Sequence, residues 1–155
     1  MWSSEVTNMI ITGIWETLYM TLVSTLVGYV IGLPMGIILT VSDKDGIKPN
    51  AVLYKILDVI ANIVRSVPFI ILLVLLIPFT RLVVGKSYGS TATIVPLVIA
   101  AAPYIARMVE SSLKEVDAGV IEAARSMGAS NFTIITKVML VEARTSLLVL
   151  SLIHI

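Results

Sequence analysis

The sequence predicts an all-α membrane protein that crosses the bilayer several times. Of its 155 residues, 57% are hydrophobic and 14% are charged, whereas about a quarter of the residues in a typical soluble domain are charged. Three long apolar segments are separated by short polar stretches, and a fourth apolar stretch begins near the end of the sequence. The chain has too few charges to cover a globular surface, so the lipid bilayer is its expected surrounding.

The same composition argues against several other functions. A net charge of +1 does not favour nucleic acid as a partner, and the lack of cysteine excludes disulfides and thiolate chemistry. His154 is the single histidine, and no cluster of residues has metal-ligand spacing. The tripeptide 85–87 resembles the end of a phosphate loop, but Thr80 stands where that loop needs glycine. We therefore expect no enzyme activity, no metal and no cofactor on this chain.

The first membrane helix is predicted at about 17–41. The segment before it, through Thr12, has no lysine or arginine and no cleavage site, so we do not expect a cleavable signal peptide. Gly28, Gly32 and Gly36 recur every four residues and share one helix face, which allows another helix to approach closely. Pro34 is predicted to kink this helix.

The second and third membrane helices are also predicted to be kinked by proline. The apolar run 69–79 is too short to cross about 30 Å of hydrocarbon, so a helix at about 59–80 with a kink at Pro68 is expected. The segment before it is predicted to be an interfacial or tilted entry helix. The third helix is expected at about 92–109, with kinks at Pro96 and Pro103.

The distribution of lysine and arginine predicts the orientation. Basic residues collect on the cytoplasmic side of membrane proteins, and here they follow the first and third apolar segments. The N-terminus is therefore predicted outside, and the polar segment 112–143 in the cytoplasm. The basic residues on the predicted inner side are Lys44, Lys48, Lys55, Arg65, Arg107, Lys114, Arg125, Lys137 and Arg144; Arg81 and Lys86 lie between the second and third segments.

Several charged residues lie close to the predicted membrane boundaries. A charge well inside the bilayer would be a functional candidate, but interfacial placement or snorkelling is the favoured interpretation here. The absence of a carboxylate pair in the middle of a helix argues against a proton-coupled carrier. These boundary residues are Glu16, Asp58, Arg65, Arg107 and Glu110.

The cytoplasmic segment 112–143 is predicted to form a helical hairpin. Its first helix has an apolar stripe of Val120, Ala123, Ala124 and Met127, and Gly128 is expected to end it in the left-handed conformation. Ser130 offers an N-cap for the second helix, whose apolar side is predicted to contain Phe132, Ile135, Val138 and Met139. The hairpin suits insertion into a cleft of a second protein; the alternative is an amphipathic helix on the lipid surface.

This hairpin resembles the EAA loop of ABC-importer permeases. The family pattern is Glu-Ala-Ala, three residues, Gly, nine residues, then Ile, any residue, Leu-Pro. Val138 replaces Ile conservatively, and Val141 stands where the family has Pro. The residues that match, and that the resemblance assigns to ATPase docking, are Glu122, Ala123, Ala124, Gly128 and Leu140.

Three further runs, within 15–36, 65–81 and 94–110, are similar to the permeases of D-methionine importers. The resemblance implies a type I ABC-importer permease domain over 12–155, in a bacterial inner membrane. It also implies a homodimer, an ATP-binding subunit that carries ATP and Mg²⁺, and an extracytoplasmic substrate-binding lipoprotein. The expected function is ATP-driven import of methionine or a related amino acid.

Two alternatives stay open at this stage. A permease for polar amino acids would share the hairpin, and a non-functional fragment of a permease would share every feature. The apolar stretch at 145–155 covers about 16 Å as a helix, roughly half of the hydrocarbon core. We therefore expect a partial fourth membrane helix and a permease domain that is incomplete at its C-terminus, which by itself does not transport.

Overall fold

The computed structural model describes residues 3–154, with side chains through residue 149. Every regular element in this part of the chain is helical. The elements are α1 (Ser4–Ser42), α2 (Ala51–Ser66), α3 (Phe69–Leu75), α4 (Ile77–Val84), α5 (Ser90–Lys114), α6 (Ala118–Ser126), α7 (Asn131–Thr133), a π-helical segment (Ile134–Met139), α8 (Leu140–Glu142) and α9 (Arg144–His154).

Helices α1 and α5 pack closely along the three glycines of α1. A Cβ added to Gly32 would lie 2.7 Å from the carbonyl oxygen of Ala102, and one added to Gly36 would lie 2.5 Å from that of Ala106. At Gly28 the nearest atom is a side-chain carbon of Ile105, at 3.2 Å. Only residues without a side chain allow backbones to approach this closely. We call this contact the glycine seam.

The glycine seam also shows that α1 and α5 run in the same direction. Gly28 faces Ala101 and Ile105, whereas Gly36, two turns further along α1, faces Ala106 and Val109. The contacted residue number therefore rises on both helices together. Two parallel helices require the intervening chain to return to the starting side, and the segment containing α2, α3 and α4 makes this return.

The returning segment departs from the kinked helix predicted at about 59–80. The chain breaks between α2 and α3, which meet at an angle of 105°, because Val67 takes an extended conformation (φ −80°, ψ 124°) before Pro68. By length and composition, α1 and α5 can each cross a membrane, and the bent α2–α3 pair makes a third crossing only if it counts as one span.

The three other prolines that were predicted to kink helices lie inside uninterrupted helices. Pro34 is within α1, and Pro96 and Pro103 are within α5. Membrane helices accommodate proline because neighbouring helices and local adjustments satisfy the freed backbone groups. The helices continue through these positions, and the bends that we expect there stay a prediction.

Helix α2 has its apolar side facing away from the protein. Val52, Ile56, Val59 and Ile63 are each between 44% and 71% exposed within the chain, while Tyr54 and Asp58 reach towards α5. A helix that turns its polar side inward is suited to lipid on its outer side, where apolar side chains need no partner.

The predicted spans differ from the helices mainly at their ends. Helix α1 begins at Ser4, well before the predicted residue 17, and its 39 residues extend about 58 Å. Helix α5 contains the whole predicted range 92–109 and continues to Lys114. The predicted partial helix 145–155 corresponds to α9; Ile155 lies outside the described residues.

Candidate partner-docking site

The hairpin predicted from the sequence begins with α6, which is capped at both ends. The Asp117 carboxylate accepts a hydrogen bond from the Gly119 amide at 2.7 Å, as an N-cap residue does. At the other end, the Ala129 amide donates to the Ala124 carbonyl and the Gly128 amide donates to the Arg125 carbonyl. This pair of bonds is the Schellman motif. Gly128 has φ +78°, which confirms the predicted left-handed turn.

The second arm of the hairpin begins as predicted and then changes its register. The Ser130 hydroxyl accepts a hydrogen bond from the Thr133 amide, which confirms the predicted N-cap. After α7, the chain forms the π-helical segment, whose wider turns rotate the following residues around the helix axis. The predicted apolar side was partly wrong at its start: Phe132 is 75% exposed, while Ile134, which it omitted, is fully buried.

The predicted docking residues point in two directions. Glu122, Ala123 and Gly128 are exposed on the outer surface of the hairpin. Ala124 is buried, and Leu140 is half-buried against the same apolar core. The motif therefore combines residues that can meet a partner with residues that hold the hairpin to the protein.

An exposed apolar surface surrounds the outward residues of the motif. Met127 is 81% exposed and Val120 is 41% exposed, although both belong to the predicted apolar stripe of α6. Exposed apolar side chains beside small residues are typical of a surface that a partner protein covers. We call this surface the docking face; its residues are Val120, Glu122, Ala123, Met127, Gly128 and Phe132.

A cleft of about 430 Å³ separates α6 from the loop between α1 and α2. Glu122 and Arg125 line its α6 side, and buried Leu113 also lines it. The Arg125 guanidinium donates a hydrogen bond to the Ile47 carbonyl at 3.4 Å. This contact joins the loop between α1 and α2 to the hairpin, so the loop adjoins the docking face.

A cluster of five charged side chains lies where α1, α2 and the end of α5 meet. We call it the charge cluster; its members are Asp43, Asp58, Arg107, Glu110 and Lys114. Arg107 pairs with Asp58 of α2, and its Nη1 lies 2.7 Å from Oε2 of Glu110. The Lys114 ammonium lies 2.8 Å from Oε1 of Glu110 and 2.6 Å from Oδ2 of Asp43.

Glu110 is the most deeply buried member of the charge cluster, because only 5% of its side chain is exposed. The Tyr54 hydroxyl donates a hydrogen bond to Oε1 of Glu110 at 3.2 Å, so both carboxylate oxygens have partners. The interfacial placement predicted for Asp58, Arg107 and Glu110 stays a prediction, to which the structure adds the ion pairs between them. Each of them finds an opposite charge inside the protein, which offsets the cost of leaving water.

Asp43 sits at the edge of the charge cluster, in the loop directly after α1. A hydrogen bond from Lys114 is the main cause that lowers the pKa of Asp43 below its ordinary value of 3.8, and partial burial opposes this shift. Asp43 also accepts a hydrogen bond from the Lys44 amide at 2.7 Å. The residue is therefore a charged anchor between the first loop and α5.

Sequence reasoning named four members of the charge cluster, Asp58, Arg107, Glu110 and Lys114, but did not connect them. Arg107, Glu110 and Lys114 lie at i, i+3 and i+7 of α5, which places them on one helix face. That periodicity was available in the sequence, but their partners, Asp58 on α2 and Asp43 after α1, are distant in the chain. Within the described residues, no group of three or more acidic or histidine side chains is arranged to hold a metal ion.

Comparison with known families agrees with this geometry. Residues 32–155 match the family described as binding-protein-dependent transport system inner membrane component. This chain belongs to that family. It is 54% identical over 135 residues to the D-methionine transport system permease protein of Salmonella typhimurium, and the match covers 87% of this chain and 62% of that protein. The chain therefore spans less than two thirds of that relative's length.

A second relative comes from another organism. The methionine import system permease protein of Bacillus subtilis is 47% identical over 152 residues, which cover 96% of this chain and 68% of that protein. Both relatives are transport subunits by name, and neither is named as an enzyme.

Solved structures of the family confirm the fold. A chain in an inward-facing structure of the MetNI methionine ABC transporter matches with a TM-score of 0.95 and 50% identity, over 99% of this chain and 71% of that one. An amino acid ABC transporter solved with histidines matches less closely, with a TM-score of 0.71 and 25% identity, over 93% of this chain and 64% of that one. The predicted type I importer permease fold is therefore confirmed.

Proposed function

We propose that this chain is part of the membrane-spanning subunit of an ATP-driven importer for methionine or a related amino acid. The observation that carries the proposal is the 54% identity to a D-methionine transport permease. Family membership across most of the chain supports it. The 0.95 TM-score with a methionine ABC transporter chain supports the same substrate class. A permease for polar amino acids is the second candidate, supported by the weaker match to the transporter solved with histidines.

The docking face is the proposed contact with a separate ATP-binding subunit. Its exposed small and apolar residues can enter a cleft of that subunit, and Glu122 adds a charge to the same surface. In this proposal ATP and Mg²⁺ bind to the partner, whose closure around ATP displaces the hairpin and switches the side from which the transport pathway is open.

The other partners belong to the same proposal. An extracytoplasmic binding lipoprotein delivers the amino acid, and a second copy of the permease supplies the opposite wall of the pathway. The N-terminus lies outside, because the basic residues follow α1 and α5 at their C-terminal ends. The parallel arrangement of these two helices supports this topology, since it puts both basic segments on the same side.

Transport is the direct test of the proposed function. The permease that carries this sequence would be produced with a methionine-type ATP-binding subunit and lipoprotein, in membrane vesicles from cells without their own methionine importer. We expect ATP-dependent uptake of labelled methionine that excess unlabelled methionine suppresses and excess histidine does not. Uptake of histidine without uptake of methionine would favour the second candidate.

Orientation has a separate test, because the chain contains no native cysteine. Single cysteines would replace Ser4, at the start of α1, and Ser130, in the hairpin. A membrane-impermeant thiol reagent added to intact cells should label position 4, while position 130 should react only after the membrane is opened. Labelling of both positions from the same side would contradict the proposed topology.

A further inference from the structure

The cytoplasmic end of α5 is held on two opposite sides. On one side, Val109 and Leu113 are 1% and 2% exposed and belong to the apolar core that contains Ala124, Ile134 and Met139 of the hairpin. This core joins α5 to the two arms of the hairpin, with only Glu115, Val116 and Asp117 connecting α5 to α6. A displacement of the hairpin must therefore move the end of α5, since packed interiors do not deform continuously.

The opposite side of α5 is tied to α2 by the charge cluster. Arg107 pairs with Asp58 and donates a hydrogen bond to Asn62 at 3.4 Å. The Tyr54 hydroxyl reaches Glu110, and the Lys114 ammonium also lies 5.7 Å from the centre of the Tyr54 ring. Outside the charge cluster, the Arg65 guanidinium of α2 lies 5.7 Å from the centre of the Tyr104 ring of α5. Four residues of α2 thus contact four residues of α5 through polar or charged groups.

Helix α2 has little apolar contact that could replace these polar ties. Among the described residues of α2, Ala61 is the one that is fully buried, and the apolar stripe of the helix faces outward. The glycine seam joins α1 to α5 but does not include α2. Leu57 and Val64 are half-buried, and the remaining contacts of α2 with α5 are polar or charged. The charge cluster is the largest group of these contacts, so we expect it to dominate the position of α2 relative to α5.

Resting on the proposed function, we infer that Glu110 is a positioning residue that makes α2 follow the hairpin during the transport cycle. Its carboxylate bridges Arg107, which binds α2, and Lys114, which binds the loop after α1. Opposite charges in a partly buried site strongly resist separation, because each would be left unpaired. The charge cluster is then a rigid link that carries hairpin movement through α5 to α2, the first arm of the segment that breaks at Pro68.

Removing the charge of Glu110 tests this link. In the reconstituted transporter, Glu110→Gln keeps the size of the side chain but removes the charge that pairs with both cations. We expect methionine uptake per ATP hydrolysed to fall on the order of tenfold, within the range that coupling between two sites produces, while the ATP-binding subunit still co-purifies. Glu110→Asp keeps the charge, so methionine uptake per ATP hydrolysed should fall less in this variant than in Glu110→Gln.

A matched control lies in the same stretch of chain. Glu115 is exposed, and its carboxylate accepts a hydrogen bond from the Ser146 hydroxyl at 3.1 Å, which the oxygen of an amide can also accept. Glu115→Gln should leave uptake per ATP unchanged. An unchanged ratio in Glu110→Gln, with normal amounts of folded protein, would overturn the inference.

A covalent cross-link between α2 and α5 distinguishes mechanical coupling by the charge cluster from a role in stability alone. The double variant Asp58→Cys/Arg107→Cys removes the ion pair, and a short bifunctional thiol reagent then joins α2 to α5; the chain has no other cysteine. If the charge cluster is a rigid link, the double variant is uncoupled and cross-linking restores uptake per ATP. Cross-linking that abolishes uptake would show that the cluster must open during the cycle, and would overturn the inference.

One further measurement does not depend on the transported substrate. Spin labels at Lys55 of α2 and Lys137 of the hairpin, both exposed, report the distance between these elements when ATP is added to the complex. We expect a constant distance in the unsubstituted charge cluster and an ATP-dependent change with Glu110→Gln. If the native permease takes up no methionine but the distances behave in this way, the proposed substrate fails and the inferred link stands.

Discussion

Glycine has different roles in the seam between α1 and α5 and in the turn of the hairpin. In the seam, an added Cβ at Gly36 would lie 2.5 Å from a backbone oxygen of α5, so the neighbouring helix requires the absence of a side chain. At Gly128, an added Cβ meets no other described atom within 4 Å, and glycine is favoured there because φ is +78°, in the left-handed region. The seam is therefore sensitive to side-chain volume, while the turn is sensitive to backbone conformation.

Adding volume to the seam should have the largest effect. We expect Gly36→Ala to destabilise the permease by about 3 kcal/mol, the upper part of the usual range for overpacking, because the contacted atoms include backbone as well as Val109. Gly28→Ala should cost less, since its nearest contact is the end of a flexible Ile105 side chain at 3.2 Å. Thermal unfolding in detergent, followed by circular dichroism, measures both.

Gly13 provides the control for this prediction because it lies on the same helix in an exposed position. A Cβ added there meets no described atom within 4 Å, and alanine favours helix over glycine by up to about 1 kcal/mol. Gly13→Ala should leave stability unchanged or raise it slightly. Equal melting temperatures for Gly36→Ala and Gly13→Ala would show that the glycine seam does not require the absence of a side chain at Gly36.

Changing the backbone preference at the turn should have the next largest effect. Gly128→Val forces a β-branched residue into the left-handed region, at a cost of about 1–2 kcal/mol or more. We expect the hairpin to distort, so that the ATP-binding subunit no longer co-purifies although the permease still inserts. Gly128→Asn is the matched control, since asparagine tolerates this conformation; equal loss of binding in both variants would show that side-chain bulk is decisive.

Removing the charge beside the turn should have a smaller effect. Glu122 is exposed on the docking face, and a lost hydrogen bond of about 1 kcal/mol corresponds to roughly fivefold weaker binding. We expect Glu122→Ala to weaken binding of the ATP-binding subunit by about this factor in a titration with the purified subunit. Glu142→Ala, an exposed acid on α8, should bind normally; an equal decrease there would indicate a general electrostatic attraction.

Acidification should have the smallest effect on stability, through Asp43, which lies directly after α1 at the end of the glycine seam. Because the pKa of Asp43 is lower in the folded protein, its contribution to stability is complete above its ordinary value of 3.8 and disappears as the pH falls through the lowered value. We expect Asp43→Asn to reduce the melting temperature at pH 7 and to flatten its decrease below about pH 4. Exposed Asp45, paired loosely with Lys44 at 3.8 Å, is the control, and Asp45→Asn should match the unsubstituted protein.

Local features of the chain were predictable because each depends on neighbouring residues. Gly128 and Ser130 act through backbone groups within a few positions, and both took the predicted conformations. The apolar side of the second arm was less predictable, because Phe132 and Ile134 are both apolar and only packing against the core that contains Ala124 decides which one is buried. The kink at Pro68 was predicted as a bend within one helix, whereas the structure has a 105° break there.

By itself, the sequence determined that the protein is helical, belongs in a membrane and presents a capped hairpin with small residues on its surface. Composition, helical period and turn chemistry are properties of short segments, so they can be read without a fold. Only the tertiary structure decided which helix packs on the face of Gly28, Gly32 and Gly36. It also decided that Glu110 of α5 is buried against α2. Those contacts join residues more than fifty positions apart, and a single sequence contains no local signal for which distant partner satisfies a buried charge.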